Sequence, residues 1–307
     1  MLARAAAPTR LAAPLRAAAL AVGLLTAGSL CAAGPGAAGP AAAVDKPPPL
    51  APMLDLDVPF VTTPDNVVLA MLEMAGVKAG DTLLDLGSGD GRIVITATLR
   101  YGVSGSGVEI DPQLVRKSRE NALKAGVADK VSFSEQDLFT TDLTRATVIT
   151  MYLLPDVNIK LRPQLLALAP GTRLVSHDWT MGDWQPDQRK VVDAPEKKLG
   201  LYRIATLMAW TVPANVAGLH QADGLRIDVR QKYQKITGGT VRYGGHSYRL
   251  LPADVRGSQV ALSARAADGR RLSLQAAVDA QPQPGSRIRW QVAAPRATAQ
   301  TVETVRQ

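Results

Sequence analysis

From Thr63 onward the apolar positions fall into two alternating rhythms. TPDNVVLAMLEMAG (Thr63–Gly76) spaces them by three and four, the pattern of a helix with one apolar face. Thr63 is placed to cap that helix, Pro64 suits its first position and Gly76 closes it. DTLLDLG (Asp81–Gly87) is an apolar run of strand length, and GRIVITATLRYG (Gly91–Gly102) returns to the helical spacing. GSGVEI (Gly105–Ile110) predicts a second strand. DPQLVRKSRENALKAG (Asp111–Gly126) predicts a helix capped by Asp111, with Pro112 at its first position. KVSFSEQD (Lys130–Asp137) and ATVITMYLL (Ala146–Leu154) read as strands. PDVNIKLRPQLLALAPG (Pro155–Gly171) reads as a helix with a bend at Pro163, and TRLVSHDW (Thr172–Trp179) as a fifth strand. Strands alternating with helices of this length mean βαβ units, an α/β fold with a parallel sheet and helices on both faces. LYRIATLMAWTV (Leu201–Val212) adds a long strand, expected at the antiparallel edge of that sheet.

Beyond Pro213 the helical spacing stops. LRIDVRQKYQKI (Leu225–Ile236), TVRYGG (Thr240–Gly245), HSYRLL (His246–Leu251), QVALSARA (Gln259–Ala266), RRLSLQAAV (Arg270–Val278) and RIRWQVA (Arg287–Ala293) alternate with a period of two. Turn residues separate them at Gly238-Gly239, Gly244-Gly245, Asp268-Gly269 and Gln283-Pro284-Gly285. This predicts a small C-terminal antiparallel β domain over residues 213–295, followed by a frayed tail at 296–307.

The other end of the chain is different. Arg4, Arg10 and Arg16 precede an uncharged run, AAALAVGLLTAGSLCAAG (Ala17–Gly34), and no acidic residue stands before Asp45. Residues 1–33 have the basic, apolar and small-residue regions of an export signal. Residues 34–57, rich in Ala, Gly and Pro and containing KPPPLAP, read as a linker. The expected location is the cell envelope, exported or anchored by this segment; organelle targeting and a cytoplasm-facing domain are the alternatives. Cys31 is the single cysteine, so neither an internal disulfide nor a Cys-based zinc site is available. Leu30 before it is too large for a lipidation signal. The net charge of +8 is unevenly spread, with 14 Lys/Arg against 5 Asp/Glu from Gly224 to Gln307. That basic end offers a membrane contact. Without dense basic runs interleaved with aromatics, it argues against a nucleic-acid partner.

The candidate chemistry centres on LLDLGSGDGRI (Leu83–Ile93), a glycine-rich turn at the end of the first strand. Gly87, Gly89 and Gly91 let the backbone turn sharply and approach a ligand. A dinucleotide fingerprint would need glycine where Arg92 stands, and a phosphate loop would need a closing Gly-Lys-Ser/Thr. What remains is an acidic residue followed by GxGxG, similar to the S-adenosylmethionine loop of class I methyltransferases. That ligand is cationic, which suits Asp85 and Asp90 and leaves Ser88 lining the turn. Glu109 ends the second strand, where a carboxylate can accept from ribose hydroxyls. Asp137 ends the third, placed for an adenine amino group, with Leu138 and Phe139 to pack on the ring.

The chain resembles class I methyltransferases across Val58–Val212, which implies a Rossmann-like sheet and S-adenosylmethionine. Within them it is most similar to the protein-lysine methyltransferases that modify mitochondrial carriers and the membrane ring subunit of ATP synthase, with their bacterial relatives. VPFVTTPDNVV (Val58–Val68), DLGSGDGRIV (Asp85–Val94), VEIDPQLV (Val108–Val115), EQDLF (Glu135–Phe139) and VSHDWTMGDWQPD (Val175–Asp187) carry this resemblance. It implies that Thr62, Thr63 and Pro64 lie at the mouth of the cofactor site. The Asn/Asp-Pro-Pro-aromatic tetrapeptide of adenine and glutamine N-methyltransferases is missing; MYLLPDVN (Met151–Asn158) stands at the corresponding place.

A lysine acceptor has to lose a proton before it can be methylated, which a nearby hydroxyl or carboxylate assists. Tyr152, at the end of the fourth strand, is the catalytic candidate. His177 and Asp178 end the fifth, and Trp179 and Trp184 are placed to wall an acceptor channel or to cap the sheet. His220 and His246 have no ligand spacing around them. The expected function is S-adenosylmethionine-dependent N-methylation of a lysine in a protein partner, a membrane protein being one candidate. The alternatives are a small-molecule or lipid methyltransferase, and an exported, non-catalytic binding module.

Overall fold

The computed structural model describes residues 61–197, 203–295 and 297–307; the leader, the linker and the head of the resembling region, Val58–Phe60, lie outside the described residues. Along the chain run α1 (Asp65–Met74), β1 (Thr82–Leu86), α2 (Arg92–Tyr101), β2 (Ser104–Glu109), α3 (Pro112–Lys124), β3 (Val131–Glu135), β4 (Val148–Met151), α4 (Pro155–Leu166), β5 (Arg173–His177), β6 (Gln188–Asp193) and β7 (Ile204–Thr211). Their strands form one sheet in the order β3-β2-β1-β4-β5-β7-β6. β1 to β5 are parallel, while β7 runs antiparallel to β5, and β6 antiparallel to β7. Strand order reverses beside β1, the place where open α/β sheets hold their ligands.

Alternate strand residues serve opposite faces. Leu83, Val148 and Val175 pack with α1, α2 and α3, whereas Leu84, Ile149 and Leu174 pack with Leu161 and Leu165 of α4. The helix ends follow local chemistry. Asp111 caps α3 by accepting from Gln113 N at 2.7 Å, and Gly102 stops α2 with φ 68°. α4 runs on past Pro163. α1 corrects one expectation: Pro64 occupies the cap position, and the Thr63 hydroxyl turns to His177 instead. A second correction concerns the sheet edge. β7 is covered by β6, whose exposed face hides the alternation that would have announced it.

The C-terminal strands are β8 (Gly218–Ala222), β9 (Leu225–Lys232), β10 (Lys235–Tyr243), β11 (His246–Leu250), β12 (Ala253–Asp254), β13 (Gln259–Arg265), β14 (Arg271–Ala277), β15 (Arg287–Ala293) and β16 (Gln300–Arg306). β10 pairs with β11 as well as with β9, so eight of them close into an antiparallel barrel, with β12 beside β10. Inward positions such as Ile227, Leu262, Leu274 and Trp290 fill it, and the outward ones are largely polar. Three expectations change here. LRIDVRQKYQKI is not one strand but β9 turning into β10 at Tyr233-Gln234. Gly238-Gly239 is not a turn but part of β10 at a bulge, where a Cβ on Gly239 would come within 2.0 Å of Asp228 O. The tail is not frayed, since residues 300–306 pair with β15 and β8.

The barrel completes the second face of the sheet. Trp184, 1% exposed, donates Nε1–H to Gln234 Oε1 at 3.0 Å and stacks on Tyr233. Gln281 Nε2 donates to the carbonyls of Leu166 and Leu168, which end α4. Trp184 is therefore a joint between sheet and barrel, not a channel wall. Among the described residues no helix is long and apolar enough to cross a membrane.

Candidate functional site

The turn after β1 is held open by backbone geometry. Gly87, Gly89 and Gly91 have φ of 73°, 54° and 80°, a region that favours glycine. Gly87 N and Ser88 N both donate to Val108 O, which pins the turn to β2. Gly107 makes room for Ser88, because a Cβ there would lie 2.5 Å from its side chain. Ser88 Oγ is buried with no hydrogen-bond partner.

Asp85 is 2% exposed, and its Oδ1 accepts from Thr150 Oγ1 at 2.7 Å. Burial pushes its carboxyl up to about 8; the Thr150 bond opposes this, while Glu109 and Asp90 add to it. Near neutral pH it holds a proton that an arriving cation would expel. Glu109 Oε2 accepts from Gly89 N at 2.9 Å, and Oε1 accepts from Ile110 N and Asp111 N. Each carboxylate oxygen carries two lone pairs, so Oε2 keeps one for a ligand hydroxyl. Asp90 is placed otherwise than expected. Its carboxylate is committed to Arg92, through Nε at 2.9 Å and NH2 at 2.7 Å, so its charge is already matched. Arg92 NH1 also donates to Thr63 O at 3.0 Å, tying the glycine turn to the segment before α1. Thr63 is 4% exposed, and Thr62 beside it is half-buried. Asp137 is exposed and caps the short turn Leu138–Thr140 by accepting from Phe139 N at 2.8 Å; Leu138 is half-buried.

A second cluster sits at the ends of β4 and β5. Tyr152 stacks on His177 with ring centroids 3.8 Å apart, and its hydroxyl donates to Asp178 Oδ2 at 3.3 Å. Burial, with the Asp178 charge beside it, raises the Tyr152 hydroxyl above its ordinary pKa, so it stays a phenol and a donor. Asp178 has φ 63°, accepts from Thr206 N at 2.9 Å, and binds Lys197 Nζ at 2.5 Å. Burial pushes Asp178 up, but the bonds from Lys197 and Thr206 outweigh it and hold the carboxyl below its ordinary value. His177 is fully buried and pushed down to about 4 by desolvation, hence neutral; its Nδ1 lies 3.2 Å from Thr63 Oγ1. Thr63 thus touches both clusters. Leu153, next to Tyr152 in the chain, also reaches the turn, since its Cδ2 would be 3.0 Å from a Cβ on Gly87. Trp179 is 38% exposed beside Asp178. His220 and His246 lie in the barrel, away from this site. Two surface hollows, of about 510 Å³ and about 270 Å³, also lie elsewhere, on the barrel and at the opposite ends of β5 and β7.

Four residues were not foreseen. Arg92 follows the glycine turn directly, and its spacing from Asp90 was the available signal. Ile110, 69% exposed next to Glu109, is an apolar side chain standing at a polar strand end. Thr150 and Lys197 carry no sequence signal, because their roles depend on strand pairing and on a loop that folds back.

A family model described as the ANTKMT methyltransferase domain matches residues 85–188. A protein-lysine N-methyltransferase of Saccharolobus islandicus (strain REY15A) is 44% identical over 133 residues, covering 43% of this chain and 83% of that protein. The adenine nucleotide translocase lysine N-methyltransferase of Mus musculus is 34% identical over 134 residues, 43% of this chain but only 58% of that protein. A solved structure described as an RNA methyltransferase from Salinibacter ruber, in complex with S-adenosyl-L-homocysteine, is 52% identical. It covers 51% of this chain and 96% of that one, with a TM-score of 0.46.

Proposed function

The chain belongs to the protein-lysine N-methyltransferase family of class I, S-adenosylmethionine-dependent methyltransferases, and on that premise we propose that it methylates the side-chain amine of a lysine in a protein partner. The alternative of a non-catalytic binding module gives way to an enzyme.

The residues present fit the cofactor. Asp85, poised to ionise against a cation, suits its methionine end, and Glu109 has accepting capacity for its ribose. Ile110 and Leu138 offer apolar surface to its adenine, with Asp137 nearby for the amino group. Gly87, Ser88, Gly89 and Gly91 supply backbone that a ligand can approach. When bound, S-adenosylmethionine supplies a methyl carbon made electrophilic by its sulfonium.

The observation that carries the lysine reading is that Asp178 already binds a primary ammonium. Lys197 Nζ lies against Asp178 Oδ2 and donates to Ile204 O at 2.8 Å, beside the Tyr152 hydroxyl. An incoming lysine finds the same donors and acceptors once Lys197 yields its place. A carboxyl held below its ordinary pKa is a weak base, so Asp178 orients the ammonium, and the proton leaves to water. Asp178 favours the ammonium on arrival, and the half-burial of the site opposes it by favouring the neutral, reactive amine.

The test is incubation of the purified protein with methyl-tritiated S-adenosylmethionine and cell extract, followed by acid hydrolysis of the labelled protein. Label should appear in methylated lysine, and Tyr152→Phe should lower the rate about tenfold or more with cofactor binding retained. Label confined to nucleic acid or small molecules would sink the proposal.

A further inference from the structure

The barrel treats its outward arginines in two ways. On one wall Arg287 and Arg289 both reach Glu303 on the neighbouring strand, at 2.9 Å and 3.1 Å, so charge is balanced across the pairing. The opposite wall does the reverse. Arg249 on β11 stands directly across from Arg265 on β13, which stands directly across from Arg271 on β14. Arg226 on β9 likewise faces Arg242 on β10. All five are exposed, and among the described residues none has an ion-pair partner. Directly opposed like charges destabilise a sheet, and neighbouring strands are only about 4.8 Å apart. The fold bears this cost on one wall while avoiding it on the other.

At the end of that row the barrel surface opens into the hollow of about 510 Å³. Arg270 and Arg271 stand on its rim, and Tyr248, Ala294 and Pro295 give it apolar walls. Arg270 is matched by Asp268, which leaves Arg271 common to the hollow and the row.

We propose that this arginine wall and its hollow dock the protein onto a membrane surface of anionic phospholipid, the wall facing the headgroup phosphates and the hollow receiving one headgroup with the start of its glycerol. Two observations favour lipid over a nucleic acid. The exposed positions of β9, β10, β11, β13 and β14 include no Phe, Tyr or Trp on which bases could stack, and the one exposed imidazole there, His246, lies against Arg270 NH2 at 3.0 Å. The hollow pairs an apolar wall with a cationic rim, which suits an amphiphile. Headgroups also move laterally to meet whatever spacing the arginines present, whereas a polymer's phosphates do not.

The test is flotation of the full chain with vesicles of phosphatidylcholine alone and of phosphatidylcholine with phosphatidylglycerol, at low and at raised salt. The triple variant Arg249→Ser, Arg265→Ser, Arg271→Ser is compared with Arg116→Ser, Lys117→Ser, Lys124→Ser, which removes the same charge from the exposed face of α3. Titration with S-adenosylmethionine reports that both variants are folded. The native chain should float only with the anionic vesicles and release in salt. The barrel triple should lower partitioning about a hundredfold, at roughly fivefold per charge, and the α3 triple by no more than about twofold. Equal losses in the two triples, or no preference for anionic vesicles, would overturn the proposal. So would an RNA or DNA oligonucleotide that binds through the same arginines while the vesicles do not.

Discussion

Asp85 shows how one buried group couples fold and function. Its carboxyl is raised to about 8 from an unfolded value near 4, so between those values the folded chain holds a proton that the unfolded chain has lost. Stability is therefore present at low pH and declines as pH climbs through about 8. Asp85→Asn should melt higher than the native apoprotein, by a margin that grows from about pH 5 to about pH 9, yet lose S-adenosylmethionine binding at both. Thermal melts and calorimetric titration check the two halves; a variant that still binds the cofactor would contradict the assignment. His177 has the opposite sign. Pushed down to about 4, it contributes stability above about pH 6.5 that is lost as pH falls toward 4. His177→Gln should remove that acid limb of the melting profile, and an unchanged limb would place the titration elsewhere. The acids at the strand ends were legible because strand-end position alone places them. What Asp90 does was not, because pairing with Arg92 depends on a side chain folding back over the turn.

Single elements were legible where periodicity and punctuation agreed. The βαβ half largely meets that condition: α1, α2 and α3 stop at or just before a glycine, α1, α3 and α4 begin at a proline, and the strands between them are short and apolar. The places that escaped each broke one of those signals. β6 lies at the edge with both faces largely exposed, so no alternation marks it. The β9–β10 hairpin turns through Tyr233 at φ 52°, a left-handed position filled by a residue that does not announce a turn. Gly238-Gly239 announces a turn and instead relieves crowding against Asp228. Gly91 is the element-scale position with the largest consequence, because it starts α2 at φ 80° and a Cβ there would meet the Phe133 ring at 2.6 Å and Ser118 Cβ at 2.8 Å. Neither neighbour can withdraw, since both are buried between the sheet and α3. Gly91→Ala should cost ~2–4 kcal/mol and displace the turn, so denaturant midpoint and cofactor affinity fall together. A stable variant with normal binding would mean that the turn tolerates a different path.

At the scale of the molecule, the question is why a methyltransferase sheet carries a barrel at all. The Saccharolobus islandicus relative is matched over 83% of its length by 133 residues of this chain, which leaves too little of it for nine further strands. In this chain the barrel is built into the sheet's own core. Trp184 and Trp210 are 1% exposed, with the Trp184 ring against Tyr233 and its N–H on Gln234, and Gln281 satisfies two carbonyls at the end of α4. Removing the barrel would uncover the Trp184 indole to water, at about 25 cal/mol per Å² of apolar surface, and would strip the Trp184 N–H and the Leu166 and Leu168 carbonyls of their partners. The two parts should therefore melt in one cooperative transition. Trp184→Ala, which empties the joint at a cost of ~3–5 kcal/mol, should separate it into two, and a chain ending at Pro213 should bind a hydrophobic dye and fail to bind S-adenosylmethionine. If that shortened chain folds and binds the cofactor as the full one does, the barrel is an appendage to the sheet and its tryptophan joint has no part in holding the site.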